Sequence, residues 1–127
     1  MIRVILCDDH ALIRRGIRDT LSDAPDIEVV GEAGDYGELR SLLRTTSCDV
    51  LVLDINLPDA TGWDVLRRLR AAGCDVPVVV LSAVPPNPTR VREFQPLGVL
   101  YKPLPIDALL RLIRVACGAS APQEILQ

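Results

Sequence analysis

Short apolar runs alternate with longer amphipathic stretches along the chain. Arg3–Cys7, Val50–Leu53 and Pro77–Leu81 are rich in Val, Ile and Leu and are too short for useful helices. Their β-branched content and nearly unbroken hydrophobicity predict strands buried on both faces. Ile27–Ala33 alternates instead. Ile27, Val29, Gly31 and Ala33 fall on one face and Glu28, Val30 and Glu32 on the other, which predicts an edge strand with one wetter face. Val99–Tyr101 is a brief fifth strand. Between the strands the period changes to that of a helix. Ile13, Ile17, Thr20, Leu21 and Ala24 form one stripe, with Arg14, Arg15, Arg18 and Asp19 largely off it and Pro25 as the stop. Leu39, Leu42 and Leu43 mark a second helix after the turn residues Gly34, Asp35 and Gly37, ending near Ser47. Val65, Leu66 and Leu69 mark a third, with Arg67, Arg68 and Arg70 toward water and Gly73 as its end. Asp59 or Thr61 is its expected cap.

The fourth helix is constrained by proline. Pro85, Pro86 and Pro88 remove backbone donors, so a helix starts only near Pro88 or Thr89, and Pro96 ends it within about two turns. The last helix runs from about Pro105 to Cys117, with Ile106, Leu109, Leu110, Ile113 and Ala116 inward and Gly118 as its stop. Strand and helix thus alternate five times without an internal repeat. Such alternation predicts an α/β fold with a parallel sheet covered on both faces. Right-handed crossovers place five strands in the doubly wound order 2-1-3-4-5.

That topology gives the polar residues after each strand a common location. The first strand hands over to Asp8 and Asp9, the third to Asp54, the fourth to Ser82 and the fifth to Lys102. Parallel strands bring these ends to one rim, where open α/β sheets bind ligands. Carboxylates crowded together raise one another's pKa unless a cation sits among them. A hard divalent ion such as Mg²⁺ answers that need. Lys102 and Ser82 add nothing to a metal site alone, but suit an anion such as a phosphoryl group.

Composition narrows the function classes. The chain has 127 residues, enough for one ordinary domain, with 49% hydrophobic and 24% charged residues. A net charge of −3 supplies no basic field for nucleic acid. No stretch reaches the length of a membrane span, and the N-terminus lacks the pattern of a secretory signal, so a soluble cytoplasmic protein is expected. Cys7, Cys48, Cys74 and Cys117 form no C-x-x-C pair and His10 is the only histidine, which argues against structural zinc and for thiols that are small, partly buried side chains. His10 is expected to be a solvated helix-start residue, Trp63 to pack partially against the third helix, and Arg67, Arg68 and Arg70 to form a solvated face.

The ordered motifs C-D-D-H, D-I-N-L-P-D-A-T-G-W, V-L-S-A and Y-K-P resemble the receiver domains of two-component response regulators. The opening M-I-R-V-I-L-C-D-D-H-A-L-I-R-R-G-I and the later D-I-E-V-V-G-E-A are most similar to the NarL/FixJ (LuxR-type) subfamily. The resemblance covers the chain to about Gly118. It implies a flavodoxin-like (βα)5 receiver over residues 1–118, with 119–127 a tail or linker stub toward a helix-turn-helix output domain. It further implies that Asp54 is the phosphoacceptor for a sensor histidine kinase or phosphotransfer protein. Asp9, Asp54 and the Asn56 backbone carbonyl would bind Mg²⁺ directly and Asp8 through water. Ser82 and Lys102 would contact the phosphoryl oxygens, and the Lys102–Pro103 bond would be cis. The implied protein is a signalling domain that catalyses only its own phosphorylation and dephosphorylation, regulating transcription through an output domain that alone touches DNA.

Two features depart from the family pattern. The position three before Lys102, usually aromatic, is Val99, and Tyr101 stands closer to the lysine. The prolines around the fourth helix and a shortened Ser82–Lys102 spacing alter the surface that usually reports phosphorylation. Output is therefore expected through the first and fifth helices, as a homodimer, with Leu112 contributing. Two other readings remain at this point. One is a degenerate receiver acting as a phosphorylation-independent interaction module. The other is a small phosphatase with Asp54 as nucleophile, against which stands Asn56 where such enzymes usually place a second acid.

Overall fold

A computed structural model describes residues 1–85, 87–102 and 105–116. The Lys102–Pro103 bond, the environment of Cys117, the Gly118 stop and the tail lie outside these. In chain order the elements are β1 (Ile2–Cys7), α1 (Ala11–Ser22), β2 (Ile27–Ala33), α2 (Tyr36–Thr45), β3 (Val50–Asp54), α3 (Gly62–Ala71), β4 (Val78–Ser82), α4 (Pro88–Phe94), β5 (Gly98–Tyr101) and α5 (Ile106–Ala116). The strands form one parallel sheet in the order β2-β1-β3-β4-β5, as the alternation predicts.

The central strands are apolar because both of their faces are covered. Every residue of β3 and β4 is buried. On one face Val4, Leu6, Val50, Val52, Val79 and Leu81 meet Ile17 and Leu21 of α1 and Leu109 and Ile113 of α5. On the other, Ile5, Leu51, Leu53, Val78 and Val80 meet Leu39 of α2 and Val65, Leu66 and Leu69 of α3. Alternation along each strand divides the side chains between the two layers.

Local chemistry sets several element ends. Asp35 caps α2 by accepting from the Glu38 N–H at 2.7 Å, and the Glu38 side chain returns the contact to the Gly34 N–H at 2.6 Å. Thr61 caps α3 through the Asp64 N–H. Asn87 caps α4, which has Pro88 in its first turn and only seven residues, as the proline spacing requires. The Leu109 N–H closes the first turn of α5 on the Pro105 carbonyl, so Pro105 sits just ahead of the helix rather than inside it.

Three expectations are corrected. Ile13 is not on the core stripe of α1: it is exposed beside Leu12, and only Ile17 and Leu21 are buried there. In β2 the register slips between Val4 and Ile5 of β1, which pair with Val29 and Gly31. Val30 is thus the extra residue of a bulge, and the strand does not keep one apolar face throughout. Ile27 and Val29 pack with the α1–α5 layer, whereas Val30 and Ala33 pack with the α2–α3 layer. Leu112 is not a free outward side chain. It packs on the core over β5, where a Cβ at Gly98 would come within 2.6 Å of its Cδ1. Trp63 packs partially, as expected, but its ring stacks on Phe94 of α4 with centroids 6.2 Å apart. Of the α3 arginines, Arg67 and Arg68 are exposed, as expected, and Arg70 is half-buried. Arg67 lies over Phe94, Arg68 lies over Tyr36, and Arg70 donates to the carbonyls of Cys74 and Val76.

Candidate functional site

The register aligns the strand ends that carry the polar residues. Cys7 pairs with Leu53, Asp54 with Leu81, and Ser82 with Tyr101, so Asp8, Asp54, Ser82 and Lys102 emerge at the same edge. Asp8 and Asp54 are buried there at 1% and 2% exposure, while Asp9 is exposed. Burial of two carboxylates demands compensation, and Lys102 supplies it. Its Nζ lies 3.0 Å from Asp8 Oδ2 and 3.2 Å from Asp54 Oδ2. The other oxygen of Asp54 accepts from the Asn56 N–H at 3.1 Å. Asp8 Oδ1 accepts from the His10 N–H at 2.8 Å, and the Asp8 backbone carbonyl accepts from the Arg14 guanidinium.

The balance of charges is tight. Burial raises the Asp54 pKa first of all, and the Asp8 charge adds to it. The Asn56 N–H and Lys102 oppose the rise without cancelling it. For Lys102, burial favours the neutral amine, but contacts with Asp8 and Asp54 outweigh it and hold the ammonium above its usual pKa. Just beneath, the Cys7 thiol is pushed up to about 12 by burial and by the neighbouring carboxylates, so it stays protonated and unreactive.

Cation chemistry fits this donor set. Asp8, Asp9 and Asp54 each offer an oxygen, and His10 a ring nitrogen, with these atoms within 4.8 Å of one another. Asp8 Oδ2 is buried and lacks a hydrogen bond of good geometry although the Lys102 ammonium is close. A buried carboxylate oxygen left so, in a group of hard oxygen donors, suits Mg²⁺.

Ser82 is placed at the edge but its hydroxyl is otherwise engaged. It donates to the Val84 carbonyl at 2.6 Å and accepts from the Val84 N–H at 3.2 Å. Val99 is half-buried against the α2–α3 layer, and Tyr101 is 48% exposed. Three contributors escaped sequence reasoning. His10 is exposed as expected, yet its Nδ1 reaches Asp8 and Asp9 at 3.2 and 3.1 Å. Arg14 anchors the Asp8 backbone, a contact signalled only by its place one helical turn after His10. Asp59 does not cap α3. Its carboxylate accepts from the Tyr36 and Gly37 N–H groups at 2.9 and 3.1 Å, tying the loop after Asp54 to the start of α2.

A doubly wound parallel sheet whose carboxyl edge gathers two buried aspartates, an exposed third and a bridging lysine is the framework of a signal-receiver module. The response regulator receiver domain family matches residues 4–114, and the chain belongs to that family. It is 36% identical over 95 residues to the response regulator UvrY of Escherichia coli K12, covering 75% of this chain and 44% of that protein. It is 39% identical over 83 residues to the DNA-binding transcriptional activator DevR/DosR of Mycobacterium tuberculosis, covering 65% and 38%. The chain spans about half the length of the curated relatives it matches. Among solved structures, the receiver domain of Francisella response regulator 1452 superposes with a TM-score of 0.82 at 26% identity, covering 91% of this chain and 96% of that one. A LuxR-family two-component response regulator from Aurantimonas sp. SI85-9A1 gives 0.80 at 27%, covering 91% and 85%. The relatives are of the LuxR/NarL type, as the opening motifs imply. Receiver domains are signalling modules rather than metabolic enzymes.

Proposed function

We propose that this chain is the phosphoacceptor of a two-component response regulator, with Asp54 taking a phosphoryl group from the phosphohistidine of a sensor histidine kinase or phosphotransfer protein. The observation that carries the reading is the Lys102 ammonium held between buried Asp8 and Asp54. A fixed cation beside a carboxylate nucleophile is suited to the negative charge of an incoming phosphoryl group. An Asp54 oxygen forms the new O–P bond as the P–N bond breaks, and the electron pair leaves with the donor imidazole. Lys102 then transfers its pairing from the carboxylate to phosphoryl oxygens. Ser82 contributes by giving up the Val84 carbonyl and donating to a phosphoryl oxygen instead. Asp9, Asp54 and the Asn56 carbonyl would hold Mg²⁺, with Asp8 acting through water. Bound there, the ion supplies neutralisation of carboxylate and phosphoryl charge. Hydrolysis of the acyl phosphate at the same residues resets the domain.

The wider role rests on the relatives. DevR/DosR is a DNA-binding transcriptional activator, and RcsB of Salmonella enterica has been solved on promoter DNA with the phosphomimetic BeF3−. By extension, this receiver regulates transcription in the cytoplasm through a DNA-binding domain carried beyond residues 1–118. Self-association through α1 and α5 is the output route that the prolines around α4 favour. Leu112 is half-buried over β5 and offers only part of its side chain to such a contact, whereas Leu12 and Ile13 of α1 are exposed.

The engagement of the Ser82 hydroxyl by Val84, together with Val99, favours one second reading, a receiver that works as an interaction module without phosphorylation. A single experiment separates the two. The protein is incubated with Mg²⁺ and acetyl phosphate, and its intact mass is followed over time. A labile phosphoryl adduct that disappears in a folded Asp54→Asn variant is expected. Absence of the adduct from folded wild-type protein would assign the chain to the second reading.

A further inference from the structure

At the end of the sheet opposite Asp54, two thiols meet in one cavity. Cys48 lies on the segment leading into β3 and Cys74 on the segment leading into β4. These strands are adjacent, and Leu51 pairs with Val78. Counting back, Cys48 precedes its strand's paired residue by three positions and Cys74 by four, so both stand just ahead of neighbouring strands. The Leu51 N–H donates to the Pro77 carbonyl at 2.9 Å, which holds the two segments together where they enter the sheet; a disulfide spans a Cα separation of roughly 4.4–6.8 Å. Both cysteines are half-buried against the same α2–α3 layer. Both also line one cavity of about 360 Å³, together with Leu43, Leu69 and Val76.

Each segment is held in place independently of the thiols. The Cys74 N–H donates to the Leu69 carbonyl at 2.9 Å, and its own carbonyl accepts from Arg70 at 2.9 Å. Residues on either side of Cys48 are tied to β1: Arg3 Nε donates to the Ser47 carbonyl at 3.1 Å and the Asp49 N–H donates to the Arg3 carbonyl at 2.7 Å. The thiols are therefore kept together by the fold rather than by chance approach. They are also near enough to interact electrostatically. Burial first, and then Cys74, push the Cys48 thiol up to about 11. Such a thiol is a slow nucleophile at neutral pH, which suits Cys48 to the second, resolving step rather than to the attack on peroxide.

We propose that Cys48 and Cys74 form an oxidisable thiol pair that closes to an intramolecular disulfide under hydroperoxide stress. Cys74 attacks the peroxide, forming an S–O bond as the O–O bond breaks. This yields a sulfenic acid and one water. The Cys48 sulfur then attacks that sulfur, the S–O bond breaks, and a second water leaves. Two thiols lose two electrons and two protons, and one peroxide is reduced to two waters. A low-molecular-weight dithiol reverses the bond. The bridge would staple the starts of β3 and β4, closing a segment that contains β3 and α3, at the far end of β3 from Asp54, and so would stabilise the fold at a distance from the acidic site.

The test treats the whole folded chain with hydrogen peroxide, blocks remaining thiols by alkylation, and maps the products by mass spectrometry. Before alkylation the expected product has lost about 2 Da and returns to the starting mass with dithiothreitol; after alkylation and digestion it contains one peptide linking Cys48 to Cys74. A Cys117→Ser variant should give the same link. Cys48→Ser and Cys74→Ser variants, each confirmed as folded by circular dichroism, should lose it. The oxidised protein should melt several degrees higher than the reduced one. The proposal is overturned if the intramolecular link joins Cys117 to either residue. It is equally overturned if Cys48 and Cys74 both stay alkylatable in folded protein under conditions that oxidise the urea-unfolded chain.

Discussion

Removing the Lys102 ammonium should leave two buried carboxylates facing each other, and the cost can be worked from the geometry. Lys102 Nζ lies 3.0 Å from Asp8 and 3.2 Å from Asp54. At an effective dielectric of about 20, each contact is a gross attraction of roughly 5 kcal/mol. An oxygen of Asp8 lies within 4.8 Å of one from Asp54. At that separation the same dielectric gives a repulsion of roughly 3.5 kcal/mol. Desolvation of the ammonium offsets much of the attraction, so the net loss is far below the gross terms. Breaking a buried pair by deleting one partner costs about 3–5 kcal/mol. Lys102 retains 15% exposure, which places Lys102→Ala at the lower end, about 3 kcal/mol. The measurement is urea unfolding in metal-free buffer, with a parallel melting shift of roughly 10 °C downward. Asp54→Asn in the Lys102→Ala background should recover at least about 1 kcal/mol, because the repulsion goes with the charge. Adding Mg²⁺ should recover part of the loss with Asp54 intact. A Lys102→Ala loss below about 1 kcal/mol, or no recovery on adding Asp54→Asn, would refute the bridging role.

Three further outcomes are expected. Gly62→Ala would place a Cβ 2.8 Å from Ile55 Cα and 3.0 Å from the Asp54 carbonyl. These are backbone atoms that cannot step aside, so denaturant unfolding should show a loss of about 1–3 kcal/mol. Asp26 is held below the usual carboxylate range by its two hydrogen bonds from Arg114, at 2.9 and 3.0 Å. A depressed folded-state pKa gives stability that is present above the unfolded pKa and lost as pH falls through the folded one. Both side chains are more than a third exposed. Asp26→Asn should therefore cost only about 0.5 kcal/mol at pH 7, and unfolding curves of variant and wild type should converge in acid. Asp59→Ala removes the acceptor for the Tyr36 and Gly37 amides. Hydrogen exchange at those two amides should quicken while exchange in β3 stays unchanged.

Much of the site could be read from the chain because it uses a rule of topology. A parallel sheet with right-handed crossovers must bring Asp8, Asp54, Ser82 and Lys102 to one edge, whatever the loops do. Strand and helix type were equally legible in β3, β4 and α3, where the apolar period is unambiguous. Legibility failed where two local solutions compete. Asp59 and Thr61 both suit a cap for α3, and only the approach of α2 draws Asp59 away. In β2, strict alternation suggests one continuous face, but a bulge at Val30 reverses it, and neither pattern nor propensity announces the extra residue. Leu112 lies off the main stripe of α5, yet Gly98 leaves a gap on β5 that its side chain fills.

The sequence by itself determined the order and kind of the elements, the set of strand-end acids and the membership of the receiver family, since each depends on spacing within a short window. Tertiary structure alone decided the partners of those acids. It placed Lys102 between Asp8 and Asp54, engaged the Ser82 hydroxyl with Val84, turned His10 toward two carboxylates and brought Cys48 and Cys74 to one cavity. The reason is one of range. Periodicity acts over a few residues, whereas a hydrogen bond or ion pair is settled within about 3 Å.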